Sequence, residues 1–407
     1  MSEPSATPPA WRVPFVQPDL PSTAALVGRL RAVLDAGQLT KGPHLAALEA
    51  EAATVTGAAH VVGVSSCTLG LALVLRGLEP LRRRAAVCPG AGACGMFRQR
   101  SAPAGPRDEV ILPSFTFLAA PAAVVWAGLR PVFVDVRPDD FTVAPELVAE
   151  AVTDRTAAIL ACHTFGCPCD VPALEAIAAR AGVPLVIDAA HGLGSAREDR
   201  QVGAGGLAEV FSLSPTKLVV AGEGGLVTTS CACLDALLRD AREYGNDGHY
   251  GSIHPGLNAR LPELSAALAR ASLERLDEVA ARRAAAVAAY RSGLEGLPGI
   301  GMQRIPAAAR SSWKDFVVAI DPAFWPGGRD RLRRRLAERG IDTRAYYSPT
   351  CHRLEAYARY VAPNCRLPVS ERLAETLMAL PLGVHVNPAV ARDIAAEIRD
   401  LLMTAAA

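Results

Sequence analysis

Apolar and polar positions alternate in two registers along this chain. Residues 23–34 carry apolar side chains at helical spacing, and Gly37 closes that helix. Thr40-Lys41-Gly42-Pro43 leads into a second helix near 43–57. Residues 61–66 (VVGVSS) predict a strand and 68–77 a helix directly after it. The alternation then stops. Residues 80–108 are basic, rich in Gly and Pro, and without period, which predicts an inserted surface loop, 81–107. It resumes with a strand at 109–113, a helix over Phe115 to Gly128 and a strand at 130–136. Next come a short helix at 145–151, a strand AAILACH, a helix at 171–181 and a strand PLVIDAA. The strands AEVFSLS and GGLVTTS follow, then a helix beginning at Cys233.

Strands alternating with short helices predict an α/β domain on a mainly parallel sheet. AAILA and PLVID are apolar throughout, as strands covered on both faces should be. Residues 261–295 read as one long helix with an apolar stripe, long enough to link two halves. The remainder carries a strand KDFVVAI, a helix RDRLRRRLAERG, a strand IDTRAYY and a terminal helix near 389–403. The expected division is an irregular segment 1–22, a large domain 23–260, the linking helix 261–295 and a smaller α+β domain 296–407.

Composition narrows the function classes. A chain of 407 residues with half of them hydrophobic has material for two cores. A formal charge of +1 gives no reason to expect a polyanionic partner or an anionic membrane surface. The first residues form neither a basic n-region nor an apolar h-region, and apolar runs fall short of the roughly 20 residues of a membrane helix. The expectation is a soluble cytoplasmic protein. Ten cysteines in such a chain should be mostly reduced. Cys162, Cys167 and Cys169, with Cys88 and Cys94 in the loop, have C-x-C and C-x5-C spacings that thiolate metal sites also use. No C-x2-C pair accompanies them, so incidental or buried thiols without a metal are the better reading.

Candidate chemistry gathers at strand ends. Asp188 closes PLVID, where open α/β sheets bind ligands, and a carboxylate there can hold a positive charge on a bound group; it can equally cap a helix. His191 lies one turn on. Lys217 follows AEVFSLS in the stretch F-S-L-S-P-T-K, among apolar and small residues. Two readings stand: a lysine with a depressed pKa that forms a Schiff base, or a strand-end lysine pointing to water. Ser212 and Ser214 can donate to a phosphate. S-P-T-K also spells the Ser-x-x-Lys of penicillin-recognising enzymes, with Ser214 as nucleophile, but the chain lacks an S-D-N or K-T-G partner. Ser65-Ser66-Cys67-Thr68 joins a strand to a helix, which makes either an anion site or an ordinary N-cap.

In order along the chain, G-Q-L-T-K-G-P, V-G-V-S-S, D-E-V-I-L-P-S-F-T-F, R-P-V-F-V-D-V, V-I-D-A-A-H-G-L-G-S, S-L-S-P-T-K, G-E-G-G-L-V-T-T and P-G-L-N-A-R-L-P-E-L-S-A-A resemble the DegT/DnrJ/EryC1/StrS group of sugar aminotransferases. The likeness runs from about residue 35 to the C-terminus. It implies the pyridoxal 5′-phosphate (PLP)-dependent transferase fold of type I, like aspartate aminotransferase. It implies that Lys217 carries the cofactor and shuttles the proton, that Asp188 faces the pyridinium nitrogen, and that His191 lies near the ring and its 3-hydroxyl. Phe115 or Phe117 would stack on the ring. Ser66, Cys67, Thr68 and Ser212 fall in the phosphate segments. Asn258 would reach into the neighbouring subunit, which implies a homodimer with composite sites. Tyr244, Tyr250, Arg260, Lys314 and Tyr346 would belong to the acceptor pocket or its gate. The implied donor is glutamate, and the implied acceptor a nucleotide-linked keto-deoxysugar, less often a keto-cyclitol. The chain departs from the family at Cys67, usually glycine, and in the loop 81–107, whose Arg82, Arg83 and Arg84 either face an anionic substrate or are solvated. Dehydratase relatives have histidine at the position of Lys217; a PLP-binding regulator without turnover is the remaining alternative.

Overall fold

The computed structural model describes residues 11–85 and 106–405. Seven strands form the main sheet: β1 (His60–Val64), β2 (Glu109–Pro113), β3 (Arg130–Val134), β4 (Thr156–Cys162), β5 (Leu185–Asp188), β6 (Ala208–Ser212) and β7 (Gly225–Thr229). Their order across the sheet is β1-β7-β6-β5-β4-β2-β3. The neighbours from β3 to β6 pair in parallel, and β7 runs antiparallel to both β6 and β1. Every residue of β4, β5 and β7 is buried, the outcome of covering both faces.

Helices α1 (Thr23–Ala36), α2 (Pro43–Thr56), α3 (Cys67–Arg76), α4 (Leu78–Ala85), α5 (Ala119–Trp126), α6 (Pro145–Ala151), α7 (Val171–Ala181) and α8 (Ala232–Ala241) belong to this α/β domain. α1 ends where Gly37, at φ 67°, turns left-handed and returns its N–H to Val33 and Leu34. α3, α5 and α8 pack one face of the sheet, α2 contributes Leu45 and Leu48 to a core on another, and the described helices include none long and apolar enough to cross a membrane.

Three expectations change. α4 is helical through Ala85 where a loop was expected from residue 81, because Leu78 and Leu81 are apolar one turn apart and bury against the α3–α8 core. Residues 86–105, most of the expected loop, lie outside the described residues. Arg82 donates to the Ala157 carbonyl at the N-terminal end of β4, so it does not face the ligand-binding edge. The helix expected over 261–295 is two: α9 (Glu263–Leu273) and α10 (Leu276–Leu294). α9 packs on α2, and α10 packs on the C-terminal helix α13 (Pro388–Ala405). Serving two supports bends the axis at Glu274-Arg275, where the Arg275 N–H bonds Ser272 in a tightened turn and its guanidinium is held by Asp19 and the Leu20 carbonyl. Last, residues 341–347 form no strand. Ile341 bridges Val13 and Arg344 bridges Ala379, and the chain then turns toward the large domain.

The smaller α+β domain has β8 (Ile300–Met302), β9 (Phe316–Ile320) and β10 (Leu377–Leu380) in an antiparallel sheet, with α11 (Gly328–Glu338), α12 (Pro368–Thr376) and α13 (Pro388–Ala405) around it. Its core includes Tyr290, Phe316, Leu336 and Ile394.

One buried carboxylate ties α9 to α2. Glu263, at 0% exposure, accepts the N–H groups of Gly42, His44 and Leu45 at 3.0, 2.8 and 2.9 Å, satisfying the first turn of α2, which has no side-chain cap. Glu263→Ala leaves two buried donors and one part-buried donor without an acceptor. It should lower unfolding stability by about 3 kcal/mol in denaturant titration, while Glu263→Gln, which keeps an acceptor, should lose less.

Candidate active site

The sheet register assembles the site. At the carboxyl ends of the parallel strands Cys162 pairs with Asp188, and Asp188 with Val210. Two residues on, Ser212 pairs with Gly225, which also pairs with Val64 at the end of β1. The edge is therefore level from β1 to β4. A side chain at Gly225 would come within 2.7 Å of the Cys67 nitrogen and 2.9 Å of the Phe211 carbonyl, so its absence lets the start of α3 seat against the sheet. Ser66 caps α3 by accepting the Leu69 N–H.

A cavity of about 440 Å³ opens at this edge. The α/β domain lines it with Ser66, Cys67, Thr68, Phe117, Asp188, His191, Ser212 and Lys217, and the smaller domain closes it with Lys314, Asp315, Tyr346 and Tyr347.

Asp188 is 6% exposed. Its Oδ1 accepts the Ala190 N–H at 3.0 Å and lies 3.9 Å from the Cys67 thiol. Among the described residues it makes no ion pair of 4.0 Å or less, and burial raises its pKa. Such a carboxylate calls for a positively charged guest. Lys217 ends the turn after β6, with its N–H on the Ser214 carbonyl. Burial, then the Lys314 charge, lower its amine to about 8. Burial and the cations of Lys217 and Lys314 push His191 well below its ordinary value, so its imidazole is neutral. Its ring stacks 6.3 Å from Phe165, which stacks 5.4 Å from Tyr347. The cavity therefore joins an unpaired buried carboxylate, an amine that loses its proton readily, a neutral imidazole and, at the opposite wall, hydroxyls around a helix N-terminus suited to a phosphate.

The sequence profile of the DegT/DnrJ/EryC1/StrS aminotransferase family matches residues 22–399. The chain belongs to that family. It is an aminotransferase, and pyridoxal 5′-phosphate is its cofactor. It is 37% identical to dTDP-3-amino-3,4,6-trideoxy-alpha-D-glucose transaminase of Streptomyces venezuelae, over 98% of both chains. It is 36% identical to the erythromycin biosynthesis sensory transduction protein EryC1 of Saccharopolyspora erythraea, over 91% of this chain and 93% of that one. Among solved structures it superposes with a TM-score of 0.83 on DesI in the presence of its TDP-sugar product, at 36% identity over 98% of this chain and 95% of that one. The aminotransferase TlmJ from Streptoalloteichus hindustanus gives the same TM-score at 30% identity, covering 97% and 100%.

In this aminotransferase two of the expected site residues stand apart. Phe115 does not line the cavity. It is fully buried and packs edge-on against Phe141, Phe165 and Tyr347, in the bends where the chain leaves β2. Phe117, 53% exposed, faces the cavity. Asn258 is exposed and outside this chain's own cavity, bridged to Glu243. Of the expected acceptor-pocket residues Lys314 and Tyr346 line the cavity. Tyr244, Tyr250 and Arg260 do not: Tyr250 is 99% exposed and Arg260 lies over the Tyr244 ring. The Ser214 hydroxyl makes no hydrogen bond to Lys217, which leaves the Ser-x-x-Lys reading without geometry. Cys162, Cys167 and Cys169 are buried free thiols; Cys88 and Cys94 lie outside the described residues. Asp315 and Tyr347 were missed, although each adjoins a residue that the sequence did single out.

Phe115→Ala and Phe117→Ala should separate support from contact. The first should cost about 3–5 kcal/mol of stability. The second should leave unfolding unchanged and weaken cofactor affinity, read by titrating the cofactor-free chain with PLP.

Proposed function

We propose that this aminotransferase moves an amino group from an amino acid, glutamate first, to a nucleotide-linked keto-deoxysugar. The observation that carries the reading is the unpaired Asp188 carboxylate buried in the same cavity as Lys217. The substrate class rests on the likeness to the dTDP-sugar transaminase and to the TDP-sugar-bound structure.

PLP supplies an electron sink for the bond broken at the donor's α-carbon. The chain's residues do the rest. Asp188 holds the ring nitrogen in its protonated form, since a cation opposite a desolvated carboxylate is favoured. Phe117 covers a ring face. Ser66, Thr68 and Ser212, with the first N–H groups of α3, hold the phosphate, and His191 places its neutral imidazole by the ring. Lys217, with an amine near 8, anchors the cofactor and then moves the α-proton. Tyr346 and Tyr347 wall the acceptor side.

Asn258 completes the picture from outside. Exposed on a segment flanked by the exposed Ile253 and Leu257, it fits a homodimer in which each subunit lends Asn258 to the other's phosphate site.

Adding glutamate without an acceptor to the PLP-loaded protein should bleach the cofactor's visible band, and a nucleotide-linked keto sugar should restore it. A loaded protein whose band glutamate leaves untouched would instead be a regulator, the role that the sensory-transduction relative's name describes. Hybrid dimers test the shared site. Lys217→Ala and Asn258→Ala proteins should each be inactive or nearly so, and dissociating and re-pairing an equal mixture should restore roughly a quarter of the wild-type sites, counted as turnover per chain.

A further inference from the structure

The cavity contains a second lysine and a second carboxylate that the proposed chemistry does not use. Lys314 Nζ lies 2.8 and 2.9 Å from the two oxygens of Asp315, and both side chains are at most 5% exposed. The pair is built in. The buried Arg283, on α10, donates to the Trp313 and Lys314 carbonyls, and Trp313 takes a left-handed φ of 50°, setting two consecutive side chains against the same cavity. The Lys314 ammonium lies 6.0 Å from the centre of the Tyr346 ring.

A buried carboxylate takes a cation if one is in reach. Lys217 shares the cavity, and its ammonium would serve. An ammonium paired in that way keeps its proton, and only the free amine can attach the cofactor or accept a proton. We propose that Lys314 is a positioning residue: it occupies both oxygens of Asp315 and so keeps that carboxylate from pairing with Lys217. The inference rests on the reading of Lys217 as the cofactor-bearing lysine. The bidentate pair is neutral as a whole, which makes it a poor anion site and a good shield. The other titratable groups around Lys217 are Asp188, Cys67, Cys162, His163, His191, Glu223, Tyr346 and Tyr347. Burial holds the thiol of Cys67 and the phenol of Tyr347 in their neutral forms, and His191 is neutral too. Asp188 is directed to the ring and Glu223 is exposed to solvent, which leaves Asp315 as the buried carboxylate to be kept away.

The direction follows. Lys314→Met removes the repulsion between two ammonium groups and frees Asp315, and both effects raise the amine pKa of Lys217. The test is the pH dependence of acetylation of Lys217 by acetic anhydride in the cofactor-free, full-length protein, read site by site by mass spectrometry. Wild type should show a midpoint near 8. Lys314→Met should raise it by about one pH unit, cutting the free amine about tenfold at neutral pH. Lys314→Arg should leave it in place, and the double variant Lys314→Met/Asp315→Asn should bring it part of the way back, since it removes the freed carboxylate but does not restore the Lys314 charge. Lys314→Gln, which can still hydrogen-bond Asp315 but lacks the charge, should behave like Lys314→Met and replaces it if that variant does not fold. An unmoved midpoint in the folded neutral variant, or a raised one that Asp315→Asn does not lower at all, overturns the proposal. A higher KM for glutamate with an unmoved midpoint would make Lys314 a substrate-binding residue instead. The readout needs no turnover, so a protein that glutamate does not convert would sink the transamination reading and leave this one standing.

Discussion

A buried carboxylate with no ion-pair partner within 4.0 Å among the described residues constrains everything around it. Asp188 sits at the end of a strand with neighbours on both sides, where hydration is replaced by one N–H and a distant thiol. An isolated charge in such a place is costly and ordinarily neutralises. The fold keeps it because the sheet around it is rigid: β4, β5 and β6 are parallel, wholly or almost wholly buried, and level at their carboxyl ends. The fold thus stores a demand for a cation that a protonated pyridine nitrogen meets. Cofactor binding and stability are linked through this one group, since a guest that binds only the folded chain stabilises it.

The second constraint is how the smaller domain meets that edge. Ser114, directly after β2, accepts the Cys351 N–H on its carbonyl and the His352 N–H on its hydroxyl, and the same hydroxyl lies 2.6 Å from His352 Nδ1. Asp135, just past β3, accepts the N–H groups of Val369 and Ser370 and so caps α12. These contacts are buried and polar, and each joins the end of a large-domain strand to the smaller domain. Between them runs the row of rings from His191 through Phe165 and Tyr347 to Tyr346. The wall of the cavity that carries Lys314 and the tyrosines is therefore anchored to the strands that present Asp188, and the two halves of the site hold register with each other.

How much of this was legible in the chain depends on the range of the interaction concerned. Strand identity and order of appearance follow from local apolar pattern, and PLVID and AEVFSLS end within a few residues of where the structure ends them. Lys217 and Asp188 could be singled out because a charge beside a buried strand is a local anomaly. The break at Arg275 was not legible: residues 263–294 contain no proline, and the bend comes from Asp19 and Leu20, distant in sequence. Residues 341–347 alternate like a strand, but the ladder stays short, since Tyr347 leaves to stack on Phe165 and Tyr346 stacks on Tyr347. Phe115 and Phe117 are chemically alike and two residues apart, and only the packing of Phe141 and Phe165 tells the buried ring from the open one. Asp315 was invisible for a similar reason. In a regular strand it would point away from Lys314, and a left-handed Trp313 brings both to the cavity.

Cys67 shows how one departure from the family pattern can be absorbed. Where a glycine would leave room beneath Asp188, the thiol fills it, 3.4 Å from the Val210 carbonyl and 3.9 Å from Asp188. A thiolate there would put a second negative charge against a buried carboxylate. Burial, reinforced by the charge of Asp188, instead pushes the thiol pKa well above its ordinary value. The sulfur therefore keeps its proton, donates weakly to its neighbours and excludes water from the back of the carboxylate. It is compatible with a site built around one buried carboxylate, and its effect is to deepen the desolvation on which the demand for a cation depends.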